Sequence, residues 1–267
     1  MSFLPFALQY TVGQQSLAAL SNRDAPETPV LCLHGWLDNA ASFIPLAQQL
    51  AETPLLALEF PGHGHSGHRS SDAHYYFFDW VQDIVALCRQ QQWQQLTIIG
   101  HSMGGLVSRY FVECLGGWKV TRTVLTLGTP HRGSLNAVGF LENGMKKGIG
   151  PLGLDLSPLL RSLTSVYQLL PIYPCVDSGT GVLQRVADAA GAGALPHVDA
   201  KRATAARAFH QEIQDAQAAN AKLAAYAEQG PTVVPVVGIE QPTAQSARMD
   251  GGRLTLLNEY DGEDLGG

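Results

Sequence analysis

Apolar positions along this chain fall into short runs and one-sided stripes that alternate. Val30 to Leu33, Leu55 to Phe60, Leu96 to Ile99 and Thr123 to Leu127 are largely apolar runs of strand length, as in strands buried on both faces. Phe6 to Val12 and Ser16 to Leu20 read as two opening strands joined by a turn at Gly13. Between the runs the period changes to that of a helix. Ser42 to Leu50 places Phe43, Leu46, Ala47 and Leu50 on one face. A helix opening at Asp79 carries Trp80, Ile84, Leu87 and Cys88, and a third carries Leu106, Val107, Tyr110, Phe111 and Cys114. Strand and helix alternate four times, which predicts an α/β fold with a mostly parallel sheet covered by helices on both faces.

The alternation breaks at Ser134. Residues 134–200 hold irregular apolar clusters, glycines and prolines, and read as an inserted cap after the sixth strand. Leu152, Leu154, Leu156, Leu159, Leu160, Leu169 and Leu170 would give it a greasy face that either packs on the core or covers an apolar substrate. Lys201 to Glu228 returns to order as a long helix with Ala206, Phe209, Ile213, Ala216, Leu223 and Ala227 in its stripe, stopped by Gly230-Pro231. Val233 to Ile239 reads as the next core strand and Arg253 to Leu257 as another short one. Residues 1–133 and 201–267 would then form the core, and 134–200 the cap or lid.

The chemistry gathers at the ends of the apolar runs. Val30 to Leu33 ends in His34-Gly35-Trp36, and Leu55 to Phe60 in the Pro61 to Gly67 loop. Thr123 to Leu127 runs into Gly128-Thr129-Pro130-His131-Arg132-Gly133. Leu96 to Ile99 runs into Gly100-His101-Ser102-Met103-Gly104, a G-x-S-x-G between a strand and a helix, the context of a nucleophile elbow. A parallel sheet binds ligands beyond the carboxyl ends of its strands, where all four loops fall.

Composition narrows the function. The 267 residues carry 17 Lys and Arg against 23 Asp and Glu, a net charge of −6. That balance argues against a nucleic-acid partner. Cys32, Cys88, Cys114 and Cys175 lack C-x-x-C spacing and read as free thiols, most of them buried. The first residues show no basic n-region and no long apolar stretch, and no run is long enough to span a membrane, so a soluble cytoplasmic protein is expected. The imidazoles of His63, His65, His68 and His74, with Asp72, could share an ion in principle. Gly148 to Gly153 matches G-x-G-x-x-G but follows no strand and contains a proline, so no dinucleotide site is expected there.

These motifs resemble the α/β-hydrolase superfamily along nearly the whole chain. Residues 29–105, with LCLHGWLDNAASF, LEFPGHGHSGHR and IIGHSMGG, are similar to serine-hydrolase-like esterases. Residues 106–267, with LTLGTPHRGS, SVYQLLPIYPCVD and VVPVVGIEQPTAQSA, are similar to bacterial relatives of the lecithin:cholesterol acyltransferase and lipase group. The resemblance implies the α/β-hydrolase fold, Ser102 as nucleophile, and an oxyanion hole from the backbone N–H groups of Trp36 and Met103. It makes His34 a brace rather than a proton carrier. The Pro-Gly-His-Gly-x-Ser loop occurs in such hydrolases without metal, and neither cofactor nor metal is implied. The substrate would be a small-molecule ester or a lipid, with serine-dependent ester hydrolysis or acyl transfer as the reaction. A thioesterase with a small soluble substrate is the second enzymatic reading.

The chain departs from the family pattern in one respect. In the acyltransferase-like group a stretch like Glu263 to Gly267 leads into the segment with the catalytic acid, and the histidine follows. A C-terminal strand and helix would then be missing from this sequence. Glu240 is the acid placed as in esterase-type relatives, whereas His101, His131, His197 and His210 do not occupy the histidine position. The rival class is therefore an impaired fragment or a non-enzymatic binding protein that keeps the nucleophile.

Overall fold

The computed structural model describes residues 4–73, 75–147 and 154–263. Its strands, in chain order, are β1 (Phe6–Val12), β2 (Gln15–Ser21), β3 (Val30–Leu33), β4 (Leu55–Leu58), β5 (Leu96–His101), β6 (Thr121–Leu127), β7 (Lys146–Lys147), β8 (Leu154–Asp155), β9 (Val176–Asp177), β10 (Leu183–Gln184), β11 (Thr232–Val236), β12 (Ser246–Asp250) and β13 (Arg253–Leu257). The helices are α1 (Ile44–Gln49), α2 (Phe77–Gln90), α3 (Met103–Cys114), α4 (Leu135–Asn143), α5 (Ser157–Ser162), α6 (Thr164–Tyr167), α7 (Val186–Gly191), α8 (Ala200–Asn220) and α9 (Ala224–Gln229). Two compact units emerge. The first holds the residues up to Ala73, Phe77–His131 and Glu212–Gly238, and the second holds Arg132–Gln211 and the segment from Ile239 on.

The first unit is built on a seven-stranded sheet in the order β1-β2-β4-β3-β5-β6-β11. The strands from β4 to β11 run parallel, and the β1–β2 hairpin adds an antiparallel edge. Strand periodicity divides the apolar residues between the two faces. Cys32, Leu55, Ala57 and Ile99 form one buried cluster with Phe43 and Ala47 of the first helical segment. On α2, Trp80, Ile84 and Leu87 are buried, as are Leu106, Val107 and Phe111 on α3. α2 and α3 pack on each other, and α3 lies on β5. The mostly parallel sheet with flanking helices is thus the one the sequence predicts.

Three elements differ from their predicted form. The helix expected over Ser42 to Leu50 is a 3-10 turn, Ala40–Phe43, followed by α1, with a proline opening the α-helical part. Proline lacks the N–H donor, so it suits a helix start and not an interior. The helix expected over Lys201 to Glu228 breaks after Asn220. There the Asn220 amide donates to the Glu113 backbone oxygen and carboxylate, both at 2.9 Å, and Tyr226 of α9 donates its hydroxyl to the same carboxylate at 3.0 Å. Asn220 therefore serves α3 and not the stripe, and Leu223 is left 47% exposed. The strand expected at Val233 to Ile239 exists as β11, but it is no core strand. Val233, Val234 and Val236 are 37–45% exposed, because β11 pairs with β6 alone among the described residues. The Val236 carbonyl accepts from Gly128 N–H at 3.0 Å, so the alternate residue Pro235 turns its missing donor toward the open edge, where a ladder loses nothing by it.

The second unit carries a four-stranded sheet in the order β10-β9-β12-β13 and the small β7–β8 pair. The expected strand at Arg253 to Leu257 is β13, but it joins this sheet through β12, although the sequence assigns everything from 201 on to the core. Asp177, 2% exposed, ties the unit together. One oxygen accepts the N–H groups of Gly179, Thr180 and Gly181 at 2.9–3.1 Å, and the other accepts Arg248 Nε at 3.1 Å. Of the leucines read as one greasy face, Leu160, Leu169 and Leu170 are buried, while Leu154 and Leu159 are 62% and 53% exposed. Leu152 and the Gly148 to Gly153 motif lie outside the described residues. Among the described residues no helix is long and apolar enough to cross a membrane.

Candidate functional site

Ser102 sits at the junction of β5 and α3 with φ 51° and ψ −122°. A non-glycine residue rarely takes a positive φ, and such strain persists only where the surroundings over-determine it. Here they do. The Ser102 N–H donates to Leu127 O at 2.9 Å, and its carbonyl accepts from Gly105 N–H at 3.1 Å. The two flanking glycines let the turn close. A methyl on Gly100 would lie 2.5 Å from the Gly105 Cα, and one on Gly104 would lie 2.6 Å from the Leu33 carbonyl carbon and 2.8 Å from the His34 oxygen. The turn presents the Ser102 side chain half-buried, and the buried Met103 begins the helix. The first N–H groups of a helix have no intrahelical acceptor and carry the positive end of its dipole.

Gly35 lies against this turn. A Cβ there would be 3.2 Å from Ser102 Cβ and 3.6 Å from its Oγ. The segment after it is strained as well, with Leu37 at φ 54°. Two side chains, the half-buried Asp38 and the buried His34, hold it in place. Asp38 accepts Asn39 N–H at 2.9 Å and the Ser42 hydroxyl, and Asn39 caps the following 3-10 turn. Burial pushes the Asp38 carboxyl up, but these hydrogen bonds hold it below the usual carboxylate range. His101 Nδ1 is 3.6 Å from Asp38, on a side chain that is 47% exposed. The other brace is His34, which is fully buried. Its Nε2 accepts Phe60 N–H at 3.1 Å, a group that can only donate, so Nδ1 carries the proton and donates to Gly35 O at 2.7 Å. His34 also packs at a tilt against Phe60 and His63, at 4.7 and 5.0 Å between ring centres, and both of those rings pack on Trp80.

Burial lowers the His34 pKa to about 4, so the ring is neutral near pH 7. An unfolded histidine titrates near 6.5. Between these values the unfolded chain binds a proton that the folded chain does not, so folding stability falls as pH drops through that window, at up to ~1.4 kcal/mol per pH unit. His34→Gln keeps an acceptor for Phe60 and cannot titrate. Denaturant midpoints at pH 7, 6 and 5 should decline less steeply for His34→Gln than for the parent chain. Parallel curves for the two proteins would remove His34 from this role.

Two further imidazoles have partners of their own. His131 Nε2 is 3.1 Å from Thr126 Oγ1, and His210 Nε2 is 2.8 Å from Gln168 O. Glu240 is exposed, at φ 59°. Among the described residues no imidazole is hydrogen-bonded to Ser102 Oγ. His63 Nδ1 is 3.3 Å from Pro61 O, and the described residues gather no three His, Cys, Asp or Glu side chains that could hold a metal; His74 lies outside them. Sequence reasoning passed over Asp38 and Glu59. Glu59, 6% exposed, accepts N–H groups from Ala40 and His65 and so joins two of the four loops. The Asp38-Asn39 pair ahead of Ala40 was the available signal, since both are N-cap residue types.

The chain is similar to several known proteins. Residues 28–123 match the family described as alpha/beta hydrolase fold. Over 84 residues the chain is 45% identical to a serine hydrolase-like protein of Danio rerio, a match covering 31% of this chain and 26% of that protein. Over 119 residues it is 29% identical to a putative esterase/lipase of Mycoplasma pneumoniae, covering 43% of this chain and 42% of that one. A hypothetical protein of Pseudomonas aeruginosa PAO1, of solved structure, is 23% identical over 86% of this chain and 91% of that chain, at a TM-score of 0.46. With its parallel sheet and strand–turn–helix serine, this is a hydrolase-fold protein. The fold is the α/β-hydrolase fold, with the family match falling on residues 28–123, and the matched segment spans about a quarter of the zebrafish relative's length.

Proposed function

We propose that the chain is a serine-dependent ester hydrolase or acyltransferase that acts on an apolar acyl ester through an acyl-enzyme on Ser102. The observation that carries this reading is the strained Ser102 backbone at the strand–helix junction, with φ 51°. In the proposed reaction Ser102 Oγ attacks the ester carbonyl and loses its proton. The carbonyl oxygen becomes an oxyanion, held by the N–H groups of Met103 and Trp36, and the alcohol leaves with a proton. Water or a second alcohol then takes the acyl group. An oxyanion hole of this kind gives on the order of 3 kcal/mol per donor. The esterase/lipase name of the Mycoplasma relative supports the ester substrate.

The absence of an imidazole on Ser102 Oγ among the described residues favours a second reading, a chain with nucleophile and oxyanion hole but no proton shuttle. Both readings keep Ser102 as the reactive atom. A fluorophosphonate incubated for hours should place one phosphonyl group on the Ser102 peptide by mass spectrometry, with fluoride as leaving group. The adduct should be missing from Ser102→Ala. An unlabelled Ser102 in a folded chain would overturn the nucleophile assignment.

A further inference from the structure

The loop that carries Trp36 is fastened at both ends to two consecutive residues, Glu59 and Phe60, just past the carboxyl end of β4. At its start His34 Nε2 accepts Phe60 N–H at 3.1 Å, and at its finish Ala40 N–H donates to Glu59 Oε1 at 3.4 Å. His34 and Ala40 are both fully buried. The other Glu59 oxygen accepts His65 N–H, and a methyl on Gly64 would strike the carboxyl group, so the 61–67 loop closes around it. Among the described residues Glu59 forms no ion pair. Its buried carboxylate answers to backbone N–H groups and so works as a directional clamp. Between the two fastenings lies strain. Leu37 holds φ 54° although its side chain is 55% exposed. Leucine rarely adopts that conformation, and it persists only where the surroundings over-determine it.

We propose that Glu59 is the positioning residue of this loop, and that its carboxylate holds residues 35–39 in the strained form that sets Trp36 N–H beside Ser102. The inference rests on the acyl-enzyme reading for its chemical consequence, while the order of the loop stands without it. Gly35 already lies against Ser102, at 3.2 Å from a Cβ built on it to Ser102 Cβ. A small movement of the segment is therefore felt at the nucleophile. Without the carboxylate, the buried Ala40 and His65 N–H groups lose their acceptor, which a folded chain does not tolerate in place. The loop would relax by letting Leu37 leave its positive φ, and Trp36 would move with it. An oxyanion donor acts only when it is placed in advance of the reaction. Glu59 touches neither Ser102 nor a substrate, and reaches the chemistry only through the loop.

The test compares the parent with Glu59→Gln and Glu59→Met, three side chains of similar length that offer two, one and no acceptor oxygens. The rate of fluorophosphonate addition to Ser102 is followed by mass spectrometry, and hydrogen exchange is followed in peptides covering 35–43. Labelling should fall in the order parent, Glu59→Gln, Glu59→Met, by about tenfold or more at the end of the series, a part of the roughly hundredfold that loss of one oxyanion donor costs. Exchange in 35–43 should rise in the same order while peptides from β5 and β6 keep theirs. Leu87→Ala removes a buried side chain of α2 and none of these hydrogen bonds. It should lower the melting temperature and leave the labelling rate of the folded protein unchanged. Should Glu59→Met not fold, Glu59→Gln carries both comparisons. Unchanged exchange in 35–43, a labelling rate within twofold of the parent in both folded Glu59 variants, or an equal loss in Leu87→Ala would each overturn the proposal. A parent that takes no adduct at Ser102 would count against the acyl-enzyme reading, and the exchange result would still decide for or against Glu59.

Discussion

Gly104→Ala should destabilise the chain by about 3 kcal/mol or more, a fall in melting temperature of roughly 10 °C for a protein of this size. The added methyl meets the Leu33 carbonyl and the His34 oxygen, which are backbone atoms of a central strand and of the loop that carries Trp36. A flexible side chain could move aside, but these atoms cannot without breaking the β3 pairings to β4 and β5. The displacement would also shift the His34-Gly35 segment that lies against Ser102, so phosphonylation should be lost in whatever folded protein remains. Gly139→Ala is the contrast. Its methyl would find only the Leu256 side chain, at 3.4 Å, within α4. Alanine is the better helix former by close to 1 kcal/mol, so this change should be neutral or stabilising. A Gly104→Ala protein that melts within 2–3 °C of the parent, a shift worth only about 1 kcal/mol at this size, would show that the turn tolerates a side chain, and that the glycine is not set by the close approach of β3.

The contrast between those two glycines shows what the sequence can carry. Everything at the elbow is local. A strand, a tight turn and a helix within about a dozen residues leave their periods in the chain, and steric need puts glycine on both sides of the serine. The strands β1, β3 and β13 were readable to the residue because each begins and ends at a turn signal. Burial of β11 was not readable. Thr232 to Val236 is as apolar as β5, but what covers a strand depends on its neighbours across the sheet, which its own sequence does not encode. The pairing of β13 with β12 rather than the main sheet is unreadable for the same reason. The break in the long helix was half visible, since Asn220 interrupts the stripe, but its partner Glu113 is more than a hundred residues away. The neutral, buried state of His34 likewise comes from Phe60 and Gly35 acting together.

On the second reading, a nucleophile without a proton shuttle, hydrolysis of p-nitrophenyl butyrate by these 267 residues stays near background and Ser102→Ala changes it little. A serine hydroxyl is a weak nucleophile until a base takes its proton, and the leaving alcohol needs that proton back. His34 cannot serve, because its Nδ1 and Nε2 are both engaged and its pKa is about 4. His131 is held by Thr126, and the exposed His101 lies beside Asp38. Loss of the base from a serine triad lowers kcat on the order of a millionfold, while the oxyanion hole and binding alone still leave roughly a thousandfold over water. Slow turnover and labelling of Ser102 are compatible, since phosphonylation needs one displacement over hours, whereas a catalytic cycle must take up and return a proton each time. Rapid turnover that vanishes in Ser102→Ala would decide for the first reading and show that a residue within this chain acts as base. His131→Ala would then be the first variant to test, because His131 belongs to the same unit as Ser102 and its ring sits on Thr126, one residue before the Leu127 carbonyl that anchors the Ser102 N–H.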